Sequence, residues 1–413
     1  MTERLYYQDS YLKEFKARIL QKVKINNRPA VILDRTAFYP TSGGQPYDKG
    51  IIQDIPVVEV VEENDNILHI LGGELKEEPN REVVGKIDWE RRFDHMQQHS
   101  GQHILSGALM KIGGLETLSF HLGEGVCTLD VAKDQFTEGE VRDVEECANA
   151  IVWENRPIKC YLVEGTEELK KLNLRKIPQR EGKIRIVEVE GFDLSACGGT
   201  HCRASGEIGL IKITQKEKRG ENIRLEFICG KRAWEDYFGK HERIKGIARR
   251  LTVKDTELGE VIERMLEEKK EEEKKLKELK EKLLDYEARE IIKESSLQEN
   301  DKGEKIEIIK KLFEGKDFAE VRELGQKIIQ LKDRVVVLFG VKEGKGVKII
   351  FACSYGLNYD LNALVREAGK FIEGRGGGTY HLAQAGGKKA EGIEEALDFA
   401  LVNLENFTPK QPL

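Results

Sequence analysis

The chain has 413 residues, a formal net charge of −6, 39% hydrophobic residues and 34% charged residues. That length holds roughly two to four domains, each large enough to bury a core. No run reaches the about eighteen apolar residues of a membrane span, and the acidic balance weighs against a generic nucleic-acid coat, which needs Lys and Arg.

The seven cysteines are scattered along the chain and do not read as a disulfide framework. The opening "MTERLYYQDSYLKEFKARIL" mixes acids and bases without the apolar core of a signal peptide. A cytoplasmic protein with no membrane partner is expected.

In chain order, residues 1–90 read mostly as strand. "PAVILD", "IPVVEVV", "NILHIL" and "EVVGKID" are β-branched runs, separated by the turn formers of "TSGGQPYDKG" and "GGELKEEPN". From Asp94 the spacing of Ile104, Leu105, Ala108 and Leu109 predicts a helix. A second helix is predicted over 137–155, opened by Thr137 with Glu140 three residues on, the spacing of a capping box. "KIRIVEVE", "GLIKIT" and "NIRLEFIC" return to strand.

Residues 241–302 form a charged helical linker. Leu258, Ile262, Met265, Leu276, Leu279, Leu283 and Tyr286 make a 4-3 seam, interrupted by Lys269 and Glu272. Such a seam suits a coiled-coil partner, either a returning helix or a second subunit. "SLQENDKGEK" breaks the helix. Residues 303–413 then read as a small α/β domain, with strands "KIEIIKKLF", "RVVVLFGV" and "GVKIIFACS" around "DFAEVRELGQKIIQL". The expected class is α+β. Its parts are a β-barrel-like lobe (1–90), an α+β lobe (91–240), the linker (241–302) and the C-terminal α/β domain (303–413).

Two basic clusters stand out. Eight bases face four acids between 159 and 186, and "KITQKEKRGENIR" spans 212–224. Each is equally consistent with an RNA-facing patch and with an ordinary solvated face.

The chemistry-bearing pattern is "DHMQQHSGQHIL" (94–105) with "CGGTH" (197–201). His95, His99 and His103 lie at four-residue intervals, so adjacent pairs share a helix face. The outer two are roughly 12 Å apart at about 1.5 Å per residue, too far for one ion to hold all three. One adjacent pair, with Cys197 and His201, makes a His₃Cys set suited to Zn²⁺. Four protein donors describe a closed structural site, whereas catalytic zinc ordinarily keeps a position for water. A core cysteine beside exposed histidines is the plain alternative.

"HSGQHIL" followed by "CGGTH" resembles the second additional domain of alanyl- and threonyl-tRNA synthetases and the free-standing AlaX proteins. "TAFYPTSGGQPYDKG" (36–50) resembles the barrel segment preceding that domain in the alanine branch. "GRGGGTYHLAQAGG" (374–387) resembles the DHHA1 domain. Together they are most similar to the long AlaX form.

The resemblance implies one zinc per chain on His99, His103, Cys197 and His201, with His95 left as a helix-face residue and Cys202 as a rival thiol. It implies a substrate pocket around Thr41, Ser42, Gly43, Gly44, Gln45, Gly198 and Gly199. It also implies tRNA contact at Arg375, Gly376, Gly377 and Gly378. A homodimer through the coiled coil or the DHHA1-like domain is compatible with it.

The implied activity is trans-editing: hydrolysis of seryl-tRNA(Ala), with glycyl-tRNA(Ala) as a second substrate, without ATP. No P-loop "GxxxxGK[ST]" occurs in the sequence. A site shaped for alanine cannot sterically exclude glycine and rejects an added hydroxyl by only about 10². A second, hydrolytic site can use that hydroxyl as a positive signal. Thr41, Ser42, Gln45 and His121 are candidate partners for it, with His121 of "LSFHLGEG" favoured as the catalytic-pocket residue. Two rival classes remain: a non-enzymatic zinc-containing tRNA-binding protein, and an editing hydrolase for another ester such as seryl-tRNA(Thr).

Overall fold

The computed structural model describes residues 1–407 apart from 177–181, 296, 300–304 and 345. Arg180 of the first basic cluster and most of "SLQENDKGEK" lie outside the described residues. The chain is a mixed α+β protein in two compact units, Met1–Asp255 and Thr256–Leu413.

In the first unit, the short strands β1 (Glu3–Arg4) and β4 (Arg35–Thr36) pair in parallel. Six others follow: β2 (Glu14–Ile25), β3 (Arg28–Leu33), β5 (Gly50–Ile52), β6 (Ile55–Glu63), β7 (Asn66–Leu71) and β8 (Glu82–Ile87). They close into a barrel in the order β2-β3-β7-β6-β5-β8. Two hairpins set its register. Asn26 and Asn27 turn β2 into β3, and Asn64 and Asp65 turn β6 into β7, all four at positive φ. This is the conformation that two-residue hairpin loops require and that Asn and Asp tolerate. Alternation along β2 sends Phe15, Ala17 and Ile19 into the barrel core.

Helix α1 (Trp89–Gly113) starts on an Asp88 cap that accepts from the Arg91 amide and ends on left-handed Gly114. Every residue from His95 to Leu109 is buried, so this is a core helix rather than a surface one. After α1 come β9 (Thr117–Leu122), β10 (Cys127–Val131) and α2 (Glu138–Trp153). The α2 capping box forms as the sequence predicts, with Thr137 and Glu140 each satisfying the other's amide. Next are β11 (Ile158–Glu164), α3 (Thr166–Lys171), β12 (Lys183–Val189), β13 (Asp193–Ala196), β14 (Ile211–Arg219), β15 (Asn222–Cys229) and α4 (Gly230–Leu251). One sheet runs β14-β15-β10-β9 and another β11-β12-β13. They enclose a core that includes Ile104, Leu105, Leu129, Val144, Val187 and Phe227.

A buried ion pair ties the barrel to α1. Arg92 and Asp48 are both fully buried. Arg92 Nε donates to Asp48 Oδ1 at 3.0 Å, and the guanidinium also reaches the Ser10 carbonyl at 2.8 Å. Asp48 in turn accepts from the Tyr39 amide at 2.6 Å. The "TSGGQPYD" turn is thereby held against the helix that carries the histidines.

The second unit opens with helix α5 (Leu258–Glu294), then β16 (Leu297–Glu299), β17 (Lys305–Glu314), α6 (Phe318–Leu331), β18 (Val335–Glu343) and β19 (Gly346–Cys353). It finishes with α7 (Leu361–Ala368), β20 (Arg375–Gly378), β21 (Leu382–Gly387) and α8 (Ile393–Asn403). One six-stranded sheet runs β16-β17-β18-β19-β21-β20. β17 and β18 are parallel across α6 and the remaining pairs are antiparallel. In α5, Ala288 and Ile291 are buried against this sheet's core, whereas Ile262, Met265, Leu276, Leu279, Leu283 and Tyr286 are exposed. Among the described residues, no helix is long and apolar enough to cross a membrane.

Candidate metal centre

Four donors converge inside the first unit. His99 and His103 face the same way from α1, while Cys197 and His201 come from the loop that leaves β13. Their ligating atoms all lie within 4.8 Å of one another. Cys197 Sγ is 3.3 Å from Nε2 of His99 and 3.3 Å from Nε2 of His201. A tetrahedron built on bonds of about 2.0–2.3 Å has edges of roughly 3.3–3.7 Å, so the cluster is already near the size a small ion requires. His95 is outside the cluster. It is buried one turn earlier, and that burial lowers its pKa to about 4.

The outward nitrogens are anchored, one partner each. His99 Nδ1 is 2.8 Å from Gln45 Oε1, His103 Nδ1 is 3.1 Å from Asp193 Oδ2, and His201 Nδ1 is 3.2 Å from Ser100 Oγ. Partners of this kind fix ring orientation and tautomer and leave the three Nε2 atoms free to ligate. Asp193 is itself held by Arg175 at 3.1 Å and Ser195 at 3.0 Å.

Electrostatics favour the ligand form at Cys197 and oppose it at His103, whose proton an ion would displace. Burial raises the Cys197 thiol, but the imidazoles of His99 and His201 outweigh that and hold it well below the ordinary thiol range. Burial lowers the His103 imidazole, yet Asp193 and Cys197 lift it to about 9. Thiolate is the form that binds metal. A set of three imidazoles and a thiolate with all three Nδ1 atoms tethered therefore fits a resident ion. Cys202 is outside the cluster: it packs in the core, burial pushes its thiol to about 12, and its amide donates to Ser100 Oγ at 3.0 Å.

The loop geometry explains "CGGT". A Cβ on Gly199 would stand 2.1 Å from His99 Cε1, so any larger residue would displace a ligand ring. Arg185 donates to the carbonyls of Cys197 at 3.0 Å and Gly199 at 2.8 Å, which pins the loop from behind.

Beside the cluster lies a cavity of about 880 Å³. Its walls include His103, Cys197, Gly198, Gly199, Ser42 and Gly43. Thr41 is exposed outside it, and Gly44 packs on Phe120. Gln45 is fully buried and already committed. It accepts from the Thr200 amide at 3.1 Å and donates to Thr200 Oγ1 at 2.9 Å, besides meeting His99. It orients a ligand rather than a substrate.

His121 requires a correction. On β9 it is Thr117, Leu118, Ser119 and Phe120 that line the cavity, with the Phe120 ring 5.7 Å from His99. His121 is exposed and is not among the cavity-lining residues.

A family model for the "Threonyl and Alanyl tRNA synthetase second additional domain" matches residues 184–226. One for "tRNA synthetases class II (A)" matches 2–91, and one for the DHHA1 domain matches 306–406. The alanyl-tRNA editing protein AlaX-L of Pyrococcus horikoshii is 31% identical over 426 residues, covering 98% of this chain and 99% of its own. The chain belongs to the AlaX-L family.

The alanine–tRNA ligase of Pyrococcus abyssi is 34% identical over 417 residues. This AlaX-L family member spans only 43% of that ligase's length, although the match covers 96% of the chain. The C-Ala domain of Aquifex aeolicus alanyl-tRNA synthetase aligns with 27% of the chain and 97% of its own, at 25% identity and a TM-score of 0.25.

The basic clusters behave differently from each other. Lys212, Lys216, Lys218, Arg219 and Arg224 each meet an acidic partner, so the 212–224 cluster is an ordinary ion-paired face. From the 159–186 cluster, Arg175 and Lys176 line the cavity, as does Arg4 from the barrel lobe.

The glycine run of the second unit is not a loop. Arg375, Gly376, Gly377 and Gly378 form β20 at the sheet edge, where a Cβ on Gly376 would stand 2.3 Å from the Gln384 carbonyl. Arg375, Gly376 and Gly377 also border a shallow cavity with Lys348.

Sequence reasoning missed Asp193 and Ser100. Asp193 and Ser195 lie at a spacing of two on β13, which was a legible sign that they share a strand face.

Proposed function

We propose that this chain deacylates mischarged tRNA(Ala) in trans, with the seryl ester as its main substrate and the glycyl ester as a second. The observation that carries the reading is that His103 and Cys197, two of the four clustered donors, are also walls of the 880 Å³ cavity. A purely structural staple has no need to open onto a pocket of that size.

A zinc ion on His99, His103, Cys197 and His201 would hold the pocket wall, and would supply Lewis acidity toward an ester carbonyl or a water on adding a fifth donor or releasing one of the four. The chain's own groups do the rest. Gly199 N–H donates to Cys197 Sγ at 3.4 Å and so steadies the thiolate. The adjacent Gly198 amide is the donor we assign to the developing oxyanion. Ser42 and Gly43 bound the opposite wall.

Lys176 places positive charge on the cavity wall where the acceptor-end phosphates of a tRNA would approach, while Arg4 and Arg175 on the same wall are paired with Glu62 and Asp193. Arg375 and the edge amides of β20 are proposed as a second phosphate contact, which would raise affinity without performing chemistry. The exposed seam of α5 is proposed as a dimer surface.

The experiment is deacylation of seryl-, glycyl- and alanyl-tRNA(Ala) by the zinc-loaded protein without ATP. Seryl-tRNA(Ala) should be hydrolysed much faster than alanyl-tRNA(Ala). Equal rates, or none for any ester, would refute the reading and leave a zinc-containing RNA-binding protein. Preference for seryl-tRNA(Thr) would move it to the threonine branch.

A further inference from the structure

We infer that the side-chain carbonyl of Gln102 is the acceptor that recognises the serine hydroxyl. This rests on the editing reading above and names its specificity determinant. Gln102 sits on α1 between the ligands His99 and His103, is only 2% exposed, and lines the cavity.

Its amide is oriented by a chain of contacts. Nε2 donates to Ser106 Oγ at 2.7 Å, and Ser106 Oγ is 2.7 Å from Thr117 Oγ1, on another cavity-lining residue. That arrangement commits the nitrogen and leaves Oε1 as a buried oxygen with no hydrogen-bond partner. Among the described residues, the other such atoms are His95 Nδ1 and Arg185 Nε, and neither residue lines the cavity. A buried acceptor without a donor is costly, so an acceptor held at the wall of a cavity marks where a ligand donor belongs.

A neutral hydroxyl suits it better than the α-ammonium. One carbonyl offsets the desolvation of a hydroxyl but not that of a cation. Glu116, an exposed carboxylate on the same cavity, suits the ammonium. The sign of selection then follows. Serine satisfies Oε1, whereas the methyl of alanine leaves it as unpaired as it is in the free protein. The correctly charged tRNA is spared because it gains no bond there. Sites built to bond a hydroxyl discriminate most strongly for this reason.

The test compares full-length, zinc-loaded wild type with Gln102→Met, which keeps the length and removes the acceptor. Zinc content is measured alongside kcat/KM for seryl- and alanyl-tRNA(Ala). We expect the variant to keep one zinc per chain and to lose about 10- to 100-fold on the seryl ester. Alanyl hydrolysis should stay within about threefold of wild type. An unchanged seryl-to-alanyl ratio, or equal losses on both esters with zinc retained, overturns the inference. Wild type that hydrolyses neither ester instead overturns the editing reading itself. Should Gln102→Met not fold or not hold zinc, Ser106→Ala decides: it frees the amide to rotate and should lower the ratio at least threefold, and an unchanged ratio overturns the inference.

Discussion

Asp193 offers the sharpest perturbation of the metal centre, because it is not itself a cavity-lining residue and yet bonds a ligand. Its carboxylate is almost wholly buried. Oδ2 meets His103 Nδ1 at 3.1 Å, Oδ1 meets Arg175 Nε at 3.1 Å, and Ser195 Oγ donates to Oδ2 at 3.0 Å. Replacing it by alanine releases the His103 ring, leaves Arg175 without its carboxylate and opens a small void.

Loss of such an outer partner typically weakens metal affinity by about 10- to 100-fold, which is roughly 1.4–2.7 kcal/mol. Asp193→Asn keeps an oxygen for His103 and loses only the charge facing Arg175, so it should fall nearer tenfold. The assay is competition for zinc against a chelator of known affinity, at fixed pH and ionic strength. An Asp193→Ala protein with wild-type zinc affinity would show that His103 needs no tether and that the cluster is organised by its backbone alone. Asp193→Ala and Asp193→Asn falling equally would show that charge, not ring orientation, is what Asp193 supplies.

Three further outcomes are expected. Arg92→Leu should strand the fully buried Asp48 carboxylate and destabilise the first unit by about 3–5 kcal/mol, read by denaturant unfolding; the double replacement Arg92→Leu/Asp48→Leu should recover part of that loss. His69 is buried in the barrel, with Thr36 Oγ1 at 2.8 Å and the Val31 carbonyl at 3.1 Å, and burial lowers its pKa from 6.5 to about 4. The unfolded chain therefore binds the extra proton first. Its contribution is complete above pH 6.5 and is lost as pH falls toward 4, a swing of about 3 kcal/mol that a His69→Gln protein should lack in unfolding measured across that window. Finally, a chain ending at Asp255 should keep its zinc and still deacylate, but half-saturate at higher tRNA concentration; unchanged half-saturation would remove the proposed tRNA role of Arg375 and β20.

Much of the molecule was legible in the residues themselves. The hairpin turns carried a signal that the reading of residues 1–90 passed over, because Asn-Asn and Asn-Asp favour left-handed turns. The α2 cap was readable from Thr137 and Glu140, and the sheet of the second unit from its β-branched runs. The four metal-cluster residues were legible as paired spacings, since a four-residue step on a helix is a statement about geometry.

What the sequence could not express was which neighbours meet across distant segments. Spacing alone left two histidine pairs open, and only the packing of α1 against the barrel turn and the β13 loop places His99 and His103 at Cys197. Gln45 reads as a pocket residue in its glycine-rich stretch, yet the barrel carries it 54 positions along the chain to His99. The cavity wall takes Thr117 to Phe120 from β9 and stops short of His121, a boundary that a short polar strand does not announce. The orphan oxygen of Gln102 belongs wholly to the tertiary structure, because a glutamine is unpartnered only once every other atom around it has been placed.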